Sequence, residues 1–406
     1  MTLFGIIFFL YLLIHDRVIT LDLFNSLFLI AAIGGCLCLY ADIFLKGYKW
    51  LVYCLVLISF LLFFSISNLF LNFNFVILLL WLLGGIHIIL HILLEPKNRT
   101  ETMIMNGCVY ISLPLFIIIS NSFLKLSGLN HPMVQDEFLM AIDGTLGIYP
   151  SLIMGRFFQE LPAEISYLCM CFYLILPAAI ILIYIKRSSS VKEPPYSFMI
   201  EIILTGLLGY ALYNVIPACG GPAFNTWPNS LPQQFSQTNP QWIYSPAYLP
   251  RNNLPSLHTA WLICLLRQAW LCEKNIKIMV SIFAFANLIA MFAVGHYLID
   301  LIVGFAFANC IGGLCAFQLK WQNSARMRAI LFGGVLCLSW YLVILYCISL
   351  LQLSKGLAWS LYLASLYLSL YLEIKLFKGS KSLYNNYSTE PSGIIESLRF
   401  RKQFFK

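Results

Sequence analysis

Two histidines and an aspartate stand out in a chain that is otherwise close to hydrocarbon. His258 lies in Asn253-Leu254-Pro255-Ser256-Leu257-His258-Thr259-Ala260, and His296 and Asp300 lie in Gly295-His296-Tyr297-Leu298-Ile299-Asp300. Pro255 and Ser256 read as the start of a helix, because proline is tolerated in a first turn and serine caps it. That puts His258 at a helix N-terminus, where free amides and the positive end of the dipole favour an anion. His296 and Asp300, four residues apart, share one face of a helix, so the carboxylate can hold the imidazole. A braced imidazole is a competent nucleophile near neutral pH, and a second imidazole suits acid–base work. With an anion-binding helix end beside them, these are the parts for phosphoryl transfer through a histidine. Taken singly, each residue is as well explained by helix–helix hydrogen bonding. Both motifs together, in order and on one face of the membrane, point to function.

The elements that must position these residues are membrane helices. Of 406 residues 60% are hydrophobic and 10% charged, with a mean hydropathy of +0.83, where a soluble domain carries about 25% charged residues. The expected fold is all-α, a polytopic transmembrane bundle. At roughly 20 residues per span, the apolar runs give about twelve. They fall near 1–15, 21–45, 50–71, 73–94, 102–121, 164–185, 197–217, 257–272, 276–294, 296–319, 328–350 and 356–378. The first run has no basic leader or small-residue cleavage site and reads as a span or interfacial helix. The segment 134–163 reads as lying along the interface and roofing the site. The loop 218–255, rich in Gly and Pro, reads as irregular, its Trp227, Trp242, Tyr244 and Tyr248 suited to headgroups.

Basic residues set the orientation. One face collects Lys46, Lys49, Lys97, Arg99, Lys186, Arg187, Lys192, Lys274, Lys277, Lys320, Arg326, Arg328 and the tail, the other only Arg17, Lys125, Arg156, Arg251 and Lys355. The first is therefore expected to be cytoplasmic, with both termini inside and the two histidine motifs on the extracytoplasmic side. Thirteen cysteines sit mostly in apolar runs and read as small hydrophobes. His87 and His91 lack a third partner for a metal, Arg267 reads as snorkelling to headgroups, and glycine pairs such as Gly312-Gly313 read as helix-packing sites. Nothing suggests nucleic acid.

The pair Pro255-Ser256-Leu257-His258 and His296-Tyr297-Leu298-Ile299-Asp300 resembles the second and third motifs of the type 2 phosphatidic acid phosphatase (PAP2) superfamily. It most resembles the inositolphosphotransferase branch, which includes inositol phosphorylceramide synthases. Tyr213-Asn214-Val215-Ile216-Pro217-Ala218 with Gly221-Pro222, and Asp143-Gly144 with the apolar segment to Arg156, resemble that branch too. The resemblance spans about residues 102–320. It implies a six-helix catalytic core; outside the resemblance lie N-terminal helices in 1–101, two C-terminal helices in 321–378 and a basic cytoplasmic tail at 379–406. It also implies roles: His296 as nucleophile, Asp300 orienting it, His258 as acid and base, and Ser256 with the amides of its helix start as phosphate ligands. The phosphatases' Lys and Arg-Pro motif, the Ser-Arg before the third motif and a Gly at the place of Leu257 are all missing, which favours transfer over hydrolysis. It leaves the phosphate without an evident cation, for which Arg251 is the first choice, followed by Arg156 and Lys125. The expected activity moves a phosphorylated headgroup from a phospholipid donor to a lipid or glycan hydroxyl, with no metal or organic cofactor. The competing expectations are a lipid or polyprenyl phosphate phosphatase, and a lipid transporter or scramblase with an inactive core.

Overall fold

The computed structural model describes residues 27–45, 70–94, 101–190, 196–220, 239–246 and 249–389. They form α1 (Leu27–Phe44), α2 (Phe70–Leu94), α3 (Glu101–Asn130), α4 (Asp136–Gly144), α5 (Pro150–Glu160), α6 (Ala163–Leu174) and α7 (Leu176–Ser190). Then come α8 (Tyr196–Leu212), α9 (Leu257–Ala269), α10 (Lys274–Ala293), α11 (Leu298–Cys315), α12 (Ser324–Tyr346), the short α13 (Ile348–Gln352) and α14 (Lys355–Thr389). One antiparallel ladder of two residues per strand, Met133–Val134 against Ile243–Tyr244, ties the 218–255 loop to the end of α3. That loop was expected to be irregular throughout.

Among the described residues five helices are long and apolar enough to cross a membrane singly: Thr102–Asn130, Lys274–Ala293, Leu298–Cys315, Ser324–Tyr346 and Lys355–Ser380. The pair α6 and α7 makes a sixth if read as one span, bent by 56°. Pro177 explains the bend, since it has no N–H to offer the carbonyl of Tyr173. The expected spans at 1–15 and 50–71 lie outside the described residues. At 13 residues, α9 is too short to cross alone, as a bilayer needs about 20. The helix α14 runs through Thr389, well past the end expected near residue 378.

The outward faces are those of a membrane protein. Ile278, Ile282 and Phe285 of α10, and Leu331, Val335, Leu338 and Leu342 of α12, are exposed at helical spacing. A continuous apolar stripe of this kind is stable against lipid and not against water. In contrast, α11 is 83% buried where α14 is 28% buried, because α4, α8, α9, α12 and α14 all pack on it. It is the central post of the fold.

Two expectations are corrected by this packing. Most of α4 is interior rather than a roof at the interface, with Asp136, Leu139, Ala141, Ile142 and Asp143 buried; only α5, exposing Ile153 and Phe157, has an interfacial face. Arg267 does not snorkel. Enclosed by α8, α11 and α14, its guanidinium grips both oxygens of Glu373 (2.7 and 2.6 Å) and also Glu201. A buried cation with no route to headgroups must be paired, and here two carboxylates pair it.

Candidate active site

His296 lies between two helices, not on one. The helix α10 ends in a Schellman turn: Gly295, at φ +109°, allows the Gly295 amide to reach Phe292 O (3.3 Å) and the His296 amide to reach Met291 O (3.0 Å). Tyr297 is then the N-cap of α11, and Asp300 sits in that helix's first turn. The expected shared helix face is therefore replaced by a turn followed by a cap. The contact survives, with His296 Nδ1 3.4 Å from Asp300 Oδ2 and both side chains buried. The same oxygen accepts from the Tyr297 amide at 2.8 Å, one half of a capping box. Asp300 Oδ1 is buried and meets no hydrogen-bond partner among the described residues. Beyond Gly295 the chain is fixed from two more sides: Asn253 Nδ2 donates to Gly295 O (3.0 Å), and Gly220, also left-handed at φ +75°, lies so close to that carbonyl that a Cβ there would strike it.

Two further aspartates hold this turn, and neither was assigned a role from the sequence. Asp143 of α4 takes the first-turn amides of α11, with Oδ2 accepting from Leu298 N (2.9 Å) and Oδ1 from Ile299 N (3.2 Å). A carboxylate from another element thus fills the positive end of α11. Ser151 and the Tyr362 hydroxyl (3.2 Å) also donate to it. Asp136 accepts from the amides of Gly220 (2.6 Å) and Cys219 (3.1 Å) and from the Tyr297 hydroxyl (3.0 Å). Burial drives the Asp136 carboxyl up to about 7 and that of Asp143 up to about 6, their hydrogen bonds opposing and the nearby Asp300 charge adding to the rise.

The second motif forms as read. Ser256 is the N-cap of α9, its Oγ accepting from the Thr259 amide at 3.3 Å, a cap of about 1 kcal/mol. The Ser256 amide donates to Asp300 O (3.1 Å), which brings both motifs to one point. Gly304 permits that approach, since a Cβ there would lie 2.5 Å from Ser256 O. The Ser256 side chain itself is fully buried beside Thr259 Oγ1 and Met291 Sδ. His258 stacks on Tyr173 (3.8 Å between ring centres) with Trp261 at 5.8 Å and Phe28 at 5.4 Å. Its Nε2 is buried without a hydrogen-bond partner among the described residues.

The first of the expected cations is engaged elsewhere. Arg251 is fully buried and serves as a loop staple. Its Nε donates to His131 O (2.9 Å), Nη1 to Leu249 O (2.5 Å) and Pro246 O (3.2 Å), and Nη2 to Ser245 O (3.0 Å) and Gly128 O (3.4 Å). A guanidinium so occupied by carbonyls has no fork left for a phosphate, so the first choice of cation is overturned. Arg156 is half-buried on α5, which packs on α10 and α4. His87, once weighed as a metal ligand, bonds Tyr40 through Nδ1 (3.0 Å). Among the described residues no cluster of three His, Cys, Asp or Glu is arranged to hold a metal.

A buried His–Asp pair at the start of one helix and an imidazole at the start of another are joined through the Ser256 amide and the Asp300 carbonyl. Residues 137–314 match the family model of the PAP2 superfamily. The match points to membrane phosphatase or phosphotransferase chemistry in general, and the matched region contains Asp143, Arg156, Arg251, Ser256, His258, His296 and Asp300. The match is to the PAP2 superfamily as a whole and covers less than half of the chain. No curated protein and no solved structure matches it.

Proposed function

We propose that this protein is an integral-membrane phosphotransferase that moves a phosphorylated headgroup from a phospholipid to a hydroxyl acceptor. The observation that carries the reading is the His296 Nδ1–Asp300 Oδ2 contact, set beside His258 in a PAP2-matching region. With Nδ1 turned to the carboxylate, Nε2 of His296 is the attacking atom. It forms a bond to phosphorus as the bond to the lipid alcohol breaks, and the departing oxygen takes a proton from His258. In the second half His258 removes the proton of the acceptor hydroxyl, whose oxygen bonds phosphorus and frees His296. Asp300 stabilises the charge that develops on the His296 ring. The amide end of α9 beside Ser256, and Arg156, are the groups we assign to the phosphate oxygens.

Transfer is preferred over hydrolysis because His258 is walled by Phe28, Tyr173 and Trp261, a setting that admits an apolar alcohol more readily than bulk water. The distribution of basic residues supports an extracytoplasmic site with both termini inside. The test uses purified protein in detergent with phospholipid labelled in the headgroup phosphate, with and without a lipid alcohol. Label on the alcohol, lost in His296→Ala, is expected. Label released only as a water-soluble phosphate would make the protein a phosphatase. Absence of turnover with any donor, with lipid movement unaltered in His296→Ala, would favour a transporter.

A further inference from the structure

The helices beyond residue 314 lie outside the PAP2 match, yet they reach the site. The Tyr341 hydroxyl of α12 donates to Leu254 O at 2.9 Å, two residues before the Ser256 cap. Trp359 of α14 donates through Nε1 to Leu146 O at 3.0 Å, in the turn that follows α4. Buried Tyr362, one helical turn further along α14, donates to Asp143 Oδ1 at 3.2 Å. Asp143 in turn holds the Leu298 and Ile299 amides that open α11, and α11 carries the Asp300 that braces His296.

We propose that Tyr362 is a positioning residue for His296, acting through Asp143, so that α14 is part of the catalytic unit. The physical argument is one of coordination. Asp143 must meet the Leu298 and Ile299 amides at once, which fixes the plane of its carboxyl group. Two further donors fix the same carboxyl group, Ser151 from α5 at Oδ2 and Tyr362 from α14 at Oδ1. Losing one lets the carboxyl group rotate and the first turn of α11 fray, and a nucleophile displaced by a fraction of an ångström loses rate steeply. The hydroxyl is also the side chain's only polar atom, and burying it without a partner would be costly. Its place opposite a carboxylate is therefore a specific one.

The proposal rests on the phosphotransfer reading for its kinetic arm only. Tyr362→Phe keeps the ring and removes the donor. We expect kcat to fall about tenfold with KM for the donor lipid unchanged and the thermal midpoint in detergent nearly so. Hydrogen exchange of the peptide containing Leu298 and Ile299 should quicken by a similar factor. In Asp143→Asn the further change Tyr362→Phe should have no added effect, because the tyrosine acts only through that carboxylate. Tyr367→Phe, exposed on the same helix, is the silent control. Wild-type kcat in Tyr362→Phe, or losses that multiply in the double variant, would overturn the proposal. If the wild type turns over no donor, the phosphotransfer reading fails, and exchange decides alone: unchanged protection of the Leu298 amide overturns the positioning role, faster exchange upholds it. Should Tyr362→Phe not accumulate, Trp359→Phe loosens the same turn from Leu146 and must give the same two changes.

Discussion

Two buried polar clusters stand at opposite ends of the same two helices, α9 and α11. At one end are His258, His296 and Asp300 with Asp136 and Asp143 behind them; at the other, Arg267 lies between Glu201 and Glu373, with Gly312 of α11 against its guanidinium. Nine residues of α9 separate His258 from Arg267, about 13 Å of rise. The Arg267 end is saturated: both of its carboxylate partners face it, and they come from α8 and α14. The histidine end keeps two buried atoms without partners among the described residues, His258 Nε2 and Asp300 Oδ1. Buried polar atoms are ordinarily paired. An open atom does not by itself mark a ligand site, since Thr205 Oγ1 of α8 and Asn309 Oδ1 of α11 are also buried without partners among the described residues; what sets the histidine end apart is the braced imidazole beside it.

The difference between the two ends can be measured. The largest effect is expected from His296→Ala, which should lower turnover by at least about 10³-fold while leaving the thermal midpoint in detergent unchanged. A loss of folded protein instead would make this end structural as well. Arg267→Ala should act the other way round, destabilising by about 3–5 kcal/mol because two carboxylates are left buried and unpaired. Replacing Glu201, Arg267 and Glu373 together with apolar side chains of similar volume should restore the folded yield with activity retained, and failure of that rescue would show that the cluster does more than join helices. Arg251→Lys, which cannot meet all of its carbonyls, should cost about 1–3 kcal/mol and leave KM for the donor unchanged; a raised KM would return Arg251 to the phosphate.

A pH slope is expected at Asp136. Its folded carboxyl is held up to about 7 by burial, above an ordinary value of 3.8. The folded state therefore keeps a proton that the unfolded state loses between about pH 4 and pH 7. Stability from this group is fully present below pH 4, falls as pH rises through that window and is flat above it. Thermal midpoints from pH 5 to 8 should show wild type losing stability relative to Asp136→Asn, by no more than about 1.4 kcal/mol per pH unit. Parallel curves would mean that Asp136 titrates normally.

What the chain disclosed in advance divides along the same line. Ser256 was legible because a cap is local: a proline and a serine before an apolar run leave few alternatives. The His296–Asp300 contact was legible from a spacing of four, although the geometry behind it is a helix end followed by a cap, signalled by Gly295. Asp143 gave only a motif without a role, because its contacts with Leu298 and Ile299 span more than 150 residues and nothing local encodes them. Arg251 misled for a related reason. Its acceptors are main-chain carbonyls, which every residue has, so an arginine near a histidine looked like a phosphate ligand. Arg267 was misread because Glu201 and Glu373 lie 66 and 106 positions away. Among the described residues the span count is met only in part: α6 and α7 pass as one bent span, while α9 is too short to cross alone.

The grip that Asp143 exerts on α11 is on peptide groups, as is the grip of Arg251 on its loop. Side chains at the held positions, Leu298 and Ile299 among them, are not read by the residues that hold them. These anchors fix where the peptide groups lie, and the choice of side chain at the held positions is left to packing, as for Ile299, which is buried in the core.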